Sequence, residues 1–377
     1  MLPRLYKNVF DKTAYGNNGL GFIRDCTKCE VTEELNGAYT LSMTVSATDK
    51  LADDIAINMF IKVKANNNDV PQLFEINKHI CKANGDIEVQ GQHIKYLGMQ
   101  NCISNNGNTV GDTVTGTPQA VADYILNDLM FDNLFTFSSN ITSEKTFDLS
   151  DSPSKKLGDI FGGADYSFLS EFGGEFHYDN FKIELLKSRG SDSGYKLMYG
   201  HNMSDYNQTI TNDTAYSHIM GYATVTRLDE ENGSIILAGE PVQSSTNQVF
   251  PKVKLIDVSS EIRDYFGGNW KVNPKTGLNY QDTLDMITYF TNEYFMKKVN
   301  RRTVEECNIT ITYDSELDKM QKLKLGDTVK VCYGPNKSTL TEKISKVVYD
   351  SLAERYTLIE IGEQKPSLLD FVTKKRR

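Results

Sequence analysis

Six cysteines, five histidines and two facing glutamates are the residues of this 377-residue chain whose types could do chemistry. Cys26-x-x-Cys29 supplies two of the four ligands that a tetrahedral zinc site needs. No second CxxC or paired histidine lies nearby, and Cys81, Cys102, Cys307 and Cys332 are scattered, so Cys26 and Cys29 read as ordinary thiols. Six cysteines are too sparse over this length for a disulfide framework, and free thiols are expected. His79, His93, His177, His201 and His218 form no HExxH and no close H-x-H pair, which leaves no recognised metallopeptidase ligand set. A Cys-His peptidase needs one thiol beside one imidazole, and the order of residues selects no pair. No phosphate-binding GxxxxGK[ST] occurs.

Glu175 and Glu184 could face each other as acid and base across a hairpin, but carboxylates alternating along a strand read as its wet face. Asp192, within Arg189-Gly-Ser-Asp-Ser-Gly194, reads as a turn residue before a cation ligand. The residues therefore assign no catalytic group, no cofactor-binding group and no metal ligand, and no cofactor is expected. The expectation is a protein that is not an enzyme.

The hairpin that would carry those glutamates organises the chain. In Gly173-Gly-Glu-Phe-His-Tyr-Asp-Asn-Phe-Lys-Ile-Glu-Leu-Leu186, Phe176 and Tyr178 alternate with Glu175 and His177, and Phe181, Ile183 and Leu185 alternate with Lys182 and Glu184. Asp179-Asn180 supplies a two-residue turn. The turn-rich Ser188–Gly194 follows, then Tyr195–Gly200 as a third strand and a loop at His201–Met203, which together predict a meander. Its small exposed loops suit a buried catalytic pocket poorly.

On the N-terminal side, Asn36-Gly37 turns a second hairpin into the alternating strand Tyr39, Leu41, Met43 and Val45. Phe60–Lys64, Gln72–Ile80 and Asp86–Ile94 read as further strands. Thr117-Pro118 is a helix start whose stripe is Val121, Tyr124, Ile125 and Leu129. Ser152-Pro153 repeats that signal for a shorter helix with Leu157, Ile160 and Phe161, ending at Gly162-Gly163. Strands resume at Ile219–Leu228 and Ser234–Ala238. Asp282 opens the strongest helix, carrying Leu284, Ile287, Thr291, Tyr294, Phe295 and Lys298. Asn308–Tyr313, Asp327–Cys332, Leu340–Tyr349 and Glu354–Ile361 close the chain as strands.

The predicted fold class is α+β, mainly β, and multi-domain: two small β-barrel-like domains and an α+β module. The boundaries are 1–104 for the N-terminal barrel-like domain and 105–202 for the α+β module with the central hairpin. Residues 203–300 form a β segment followed by the amphipathic helix, and 301–377 form the C-terminal barrel-like domain and a basic tail. A hydrophobic content of 39% and a charged content of 24% fit a folded globular chain. The net charge of −9 argues against nucleic acid gripped by a basic face, since phosphate neutralisation needs clustered Lys and Arg. Met1–Phe10 lacks the apolar core of a signal peptide, and no run approaches the ~20 apolar residues of a membrane span. The expectation is synthesis and folding in a cytoplasm. Lys374-Lys-Arg-Arg377 reads as a solvated tail, with contact to DNA or to another protein as the alternative.

At an offset of 268 residues the two β-rich ends match: Lys62 with Lys330, Val63 with Val331, Ile76 with Ile344 and Lys78 with Lys346, while Ile61 meets Val329 and Ile80 meets Val348. Any two amphipathic β-segments share Val, Ile and Lys by chance, and both readings stand at this point. If the repeat is real, three copies present six similar modules in a pseudo-sixfold ring, which suits docking on a sixfold tube.

The pattern GGE-x-x-x-DNF-x-I-x-LL-x-x-RG-x-D-x-G-x-x-x-x-YG-x-N over 173–202 resembles the N-terminal region of the tail-associated (Tal, or prophage endopeptidase tail) proteins of siphophages. The likeness extends through Phe-Glu-Ile…Ile-Glu-Val-x-Gly-x-His-Ile at 74–94 and Leu-Gly-Asp-Thr-Val…Leu-Ile-Glu-Ile-Gly at 325–362. It implies a structural part of the phage tail tip: a homotrimeric baseplate hub that closes the tail tube and opens for DNA ejection. The implied partners are the hexameric distal tail (Dit) protein, the tape-measure protein, receptor-binding proteins and the host cell envelope, with phage DNA passing an acidic wall without specific binding. The implied location is the tail tip of the virion, after synthesis in the bacterial host cytoplasm. The resemblance implies that the family's endopeptidase activity belongs, where it applies, to lysin domains following the hub, and with the last predicted strand ending close to Arg377 none is expected here. A tail-associated cell-wall hydrolase and a saccharide-binding module are the alternative functions.

Overall fold

The computed structural model describes residues 1–103, 113–149, 156–163, 167–198, 205–210, 217–230, 233–243, 252–267, 269–294, 305–310, 323–333 and 338–362. The chain is mainly β. It divides into two compact units, Met1–Gln208 with Glu306–Arg377, and Thr209–Glu305.

In the first unit the period-two alternation of the sequence becomes a sheet of 13 strands. Tyr39, Leu41, Met43 and Val45 are buried while Thr40, Ser42 and Thr44 are half-buried, so the strand Tyr39–Val45 has one dry face. Its hairpin with Cys26–Glu34 turns at Asn36, whose φ of 50° is the left-handed conformation that Asn tolerates. From edge to edge the sheet passes through Asp205–Ile210, Glu305–Thr310, Arg355–Gly362, Ser338–Asp350, Cys26–Glu34, Tyr39–Val45, Ile87–His93, Gln72–Cys81, Phe60–Val63, Arg4–Tyr6 and Gly21–Phe22. Thr328–Tyr333 pairs with Ser338–Asp350 and is followed outward by Asp192–Met198. The two β-rich ends of the chain meet within this sheet, where Lys346–Asp350 lies antiparallel to Glu30–Glu34. Among the described residues no sheet closes into a barrel.

The 268-residue offset reappears in the hydrogen-bonded pairings. Lys62 faces Leu73 and Lys330 faces Thr341; Thr40 faces Gln92 and Asn308 faces Glu360. A β-bulge interrupts Gln72–Cys81 between Ile76 and Lys78, and one interrupts Ser338–Asp350 between Ile344 and Lys346. The modules are not identical. Ile76 faces Gly91 whereas Ile344 faces Ile361, a shift of two residues, and the flanking strand is antiparallel at Arg4–Tyr6 but parallel at Asp192–Met198.

The hairpin forms as its sequence predicts, with Glu175–Asp179 antiparallel to Lys182–Leu186 and Asn180 at a φ of 50°. The predicted meander does not. Residues Asp192–Met198 leave the hairpin and pair in parallel with Thr328–Tyr333, and the third strand beside Lys182–Leu186 is Thr136–Ser139, also parallel. Parallel partners come from distant chain segments, so local turn chemistry carries no trace of them.

Thr117 caps the helix Pro118–Leu126 by accepting a hydrogen bond from the Ala120 amide, and Val121 and Ile125 are buried on its inner face. Tyr124, predicted on that stripe, is exposed. Ser152 and Pro153 lie outside the described residues, but Leu157, Ile160 and Phe161 are buried around the helical turn Asp159–Gly163. Phe161 joins Phe137, Phe147, Phe168 and Phe176 in an aromatic cluster, and Leu157 and Ile160 belong to the same apolar core.

The second unit packs the helices Ser259–Phe266 and Tyr280–Tyr294 on a mixed five-stranded sheet centred on His218–Arg227. Gly221 is required there, because a Cβ would lie 2.0 Å from Thr291 Oγ1. Phe295 and Lys298, expected on the longer helix, lie outside the described residues. Among the described residues no helix is long and apolar enough to cross a membrane.

Candidate functional site

The polar face of the central hairpin, together with the loop after it, lines a cavity of about 200 Å³ in the first unit. Its walls include Glu33, Asp69, His177, Arg189, Lys324 and Tyr356, drawn from both ends of the chain and from the middle. The alternation that sends Phe176, Tyr178, Ile183 and Leu185 into the apolar core sends His177 and Glu184 to the opposite face, where they sit directly across from each other. That face is not the wet surface expected of alternating carboxylates. The side chains of Glu175, His177 and Glu184 are only 14%, 19% and 20% exposed, since the loop around Asp69 and the strand bearing Lys343 cover them.

Each buried charge in this cluster has a partner. His177 Nδ1 lies 2.8 Å from Glu184 Oε2 and its Nε2 lies 3.3 Å from Asp69 Oδ2. Burial disfavours all three charges, but their mutual hydrogen bonds outweigh it, so His177 titrates above its ordinary value and Asp69 and Glu184 below theirs. The Arg189 guanidinium is buried and donates to Glu33 Oε1 at 2.9 Å and to the Phe176 carbonyl at 3.1 Å. Glu175 accepts from the Arg189 amide and from Lys343 Nζ, each at 2.5 Å. Glu175 and Glu184 are thus separately neutralised and do not form an acid and base pair. Both ring nitrogens of His177 are engaged by carboxylates, which leaves it no lone pair for a substrate proton.

The loop after the hairpin makes a backbone clasp. Gly190, at a φ of +71°, passes so close to Gly326 and Asp327 that a Cβ on it would lie 2.3 Å from the Asp327 nitrogen. Asp327 is buried; its Oδ1 accepts from the Ser191 amide at 2.8 Å and its Oδ2 from the Lys324 amide at 2.9 Å, while the Thr328 amide donates to the Ser191 carbonyl. The Arg-Gly motif at 189–190 and the Gly-Asp-Thr motif at 326–328 are two halves of one joint. Sequence spacing could not reveal this, because 136 residues separate Ser191 from Asp327. Asp192 accepts from the Gly194 amide at 3.0 Å as a turn residue.

The remaining candidates are dispersed. Cys26 and Cys29 are free thiols on one strand, Cys29 buried, Cys81 and Cys102 are also free, and Cys332 is in no disulfide; the side chain of Cys307 lies outside the described residues. Among the described residues no cluster of three or more His, Cys, Asp or Glu is placed to hold a metal ion. His93 is buried and stacks on Tyr39 at 4.3 Å, His79 lies beside Cys81 on a strand end, and His218 contacts Ser217. His201 and Lys374–Arg377 lie outside the described residues.

No protein-family model and no curated protein matches the chain. Solved structures do. A prophage tail protein, gp18, from Listeria monocytogenes matches over 100% of this chain and 98% of its own, with a TM-score of 0.57 at 13% identity. The 43 kDa tail protein of prophage MuSo2 from Shewanella oneidensis matches over 96% of each chain, with a TM-score of 0.60 at 12% identity. A tail protein from Neisseria meningitidis matches over 98% of each, with a TM-score of 0.57 at 9% identity. This chain has the fold of prophage tail proteins. The tail-protein fold covers both β-rich ends, the central hairpin and the second unit alike, which bears out at the level of fold the resemblance carried by residues 173–202.

Proposed function

We propose that the chain is a structural subunit of a phage tail tip, a homotrimeric hub that closes the tail tube and opens for DNA ejection, with no catalytic activity of its own. The observation that carries this reading is the likeness to tail proteins over essentially the whole chain. The repeated pairing registers support the copy number: two similar modules per chain, from 1–104 and 301–377, make six in a trimer. The charge cluster supports the structural role, since its groups are consumed in holding distant segments together. The partners on this reading are a distal tail protein hexamer above, the tape-measure protein within, receptor-binding proteins at the periphery and the host envelope below. The location is the virion tail tip. DNA passes through without specific contact, in keeping with the net charge of −9.

Negative-stain images and light scattering of the purified chain test this. Threefold rings of three chains are the expected result; a monomer at all accessible concentrations overturns it. A zymogram with purified peptidoglycan addresses the hydrolase reading, and clearing by the wild-type chain would overturn the non-enzymatic assignment.

A further inference from the structure

The sheet of the first unit contains one junction between its two repeated modules, and the repeat defines where an equivalent junction must lie. At that junction Glu30–Glu34 adds antiparallel to the outer edge of Lys346–Asp350. At the 268-residue offset Lys346–Asp350 corresponds to Lys78–Lys82, just beyond the shared bulge. Gln72–Cys81 pairs on one side with Ile87–His93 and on the other with Phe60–Val63, but the second pairing covers only Gln72–Glu75. Among the described residues no strand lies along the outer edge from Lys78 onward. The difference shows in exposure: Lys78, Cys81 and Lys82 are exposed, whereas Lys346 and Asp350 are half-buried and Val347 and Tyr349 buried.

The complementary partner is equally defined. Cys26–Glu34 is the neighbour of Tyr39–Val45, and Tyr39–Val45 corresponds in register to Glu305–Thr310, because Thr40 opposite Gln92 is matched by Asn308 opposite Glu360. The neighbour of Glu305–Thr310 is Asp205–Ile210, which ends the sheet with its outer edge unpaired among the described residues. One module thus presents an acceptor edge without a donor strand, and the other a donor strand without an acceptor. An open edge of this kind is a template for strand addition, and natural proteins cover or block such edges.

We propose that the edge Lys78–Lys82 of one copy is completed by the strand Asp205–Ile210 of a second copy, paired antiparallel, reproducing between chains the junction that Glu30–Glu34 and Lys346–Asp350 make within one. The contact is head-to-tail, so it repeats from copy to copy and closes into a ring when the rotation allows. The inference rests on the ring-forming reading above and adds to it the two strands that form the joint.

Cys81 lies on the acceptor edge, exposed and free. Single cysteines are introduced along the donor strand, as Tyr206→Cys, Asn207→Cys and Gln208→Cys in separate full-length chains, and each is oxidised with copper phenanthroline. Facing Cα atoms in an antiparallel pair are about 4.5–5.5 Å apart, within the Cα separation that a disulfide spans. The expected result is covalent dimers and trimers on a denaturing gel for at least one position, abolished by Cys81→Ser in the same chain. Cys81→Lys, a charged edge residue at an exposed site, should weaken self-association at least tenfold in sedimentation while the circular dichroism spectrum is unchanged. Trimers by mass with no Cys81-dependent link, and undisturbed by Cys81→Lys, overturn the joint and leave the ring reading standing. A monomer at every concentration, with no link between copies, overturns both.

Discussion

Lys95 shows what burial does to one residue of this fold. Its side chain is wholly buried, with Nζ donating to the Gly37 carbonyl at 2.9 Å and lying 3.9 Å from the centre of the Tyr178 ring. Desolvation is the main cause that brings its pKa down from 10.5 to about 7. Between those two values the unfolded chain keeps a proton that the folded chain has released, so stability rises with pH, by at most about 1.4 kcal/mol per pH unit. Below the lower value both states are protonated and the contribution is constant and unfavourable. Lys95→Met should therefore flatten the rise in unfolding free energy from pH 7.5 to 9.5, measured by urea titration, and should be more stable than wild type at pH 7.5. A slope unchanged by the substitution would remove Lys95 as its source. In the sequence, Lys95 follows a predicted strand and looks like any surface lysine; only the packing of Tyr96 and Tyr178 around it makes it exceptional. That no recognised metal-ligand motif occurs among the cysteines and histidines was legible in the sequence. The cluster of His177 with Asp69 was not, because 108 residues separate them.

At the scale of elements, period-two alternation and turn residues locate most strands to within a residue or two. The hairpin at Asn180 and the strands Tyr39–Val45 and Ile87–His93 are read this way, because each strand's dry face and each positive-φ turn leave a local imprint. Pairing across long distances leaves none, which is why Tyr195–Gly200 was expected as a strand beside the hairpin and Asp192–Met198 is found along Thr328–Tyr333. The element that redirects it is the Gly190 clasp. Gly190 and Gly194 both have positive φ, +71° and +63°, but a Cβ would collide with backbone at the first and meet nothing within 4 Å at the second. Gly194→Ala should cost only the conformational strain of a left-handed alanine, about 1 kcal/mol. Gly190→Ala adds the collision with Gly326 and Asp327 and should cost more than about 3 kcal/mol, or prevent cooperative folding altogether. Denaturant midpoints of the two variants decide the matter, and equal losses would mean that the clasp yields without cost.

For the molecule as a whole, the connectivity makes the second unit an insertion. The first unit resumes at Glu306 after stopping at Gln208, and the strands on either side of that gap, Asp205–Ile210 and Glu305–Thr310, are neighbours in the same sheet. Neighbouring strands need only a short connection, of two to five residues when antiparallel. The second unit also has its own apolar core, around Ile219, Ala223, Leu237, Ile262 and Ile287, so neither unit depends on the other for the burial that offsets its chain entropy. The boundaries 203–300, the strands and the long helix of this region were read from the sequence but its closed core was not, because the helix Ser259–Phe266 was hidden in a stretch that reads as strand and the closure of the core depends on Gly221 meeting Thr291. Replacing residues 212–303 by a short Gly-Asn-Gly linker should thus leave a first unit that unfolds cooperatively, with far-ultraviolet circular dichroism dominated by strand. If copies join through the donor and acceptor edges alone, the shortened chain should also still form rings of three. Aggregation or non-cooperative melting of the shortened chain would show that the inserted unit contributes to the fold of the first, and a folded monomer would show that association needs surfaces of the second.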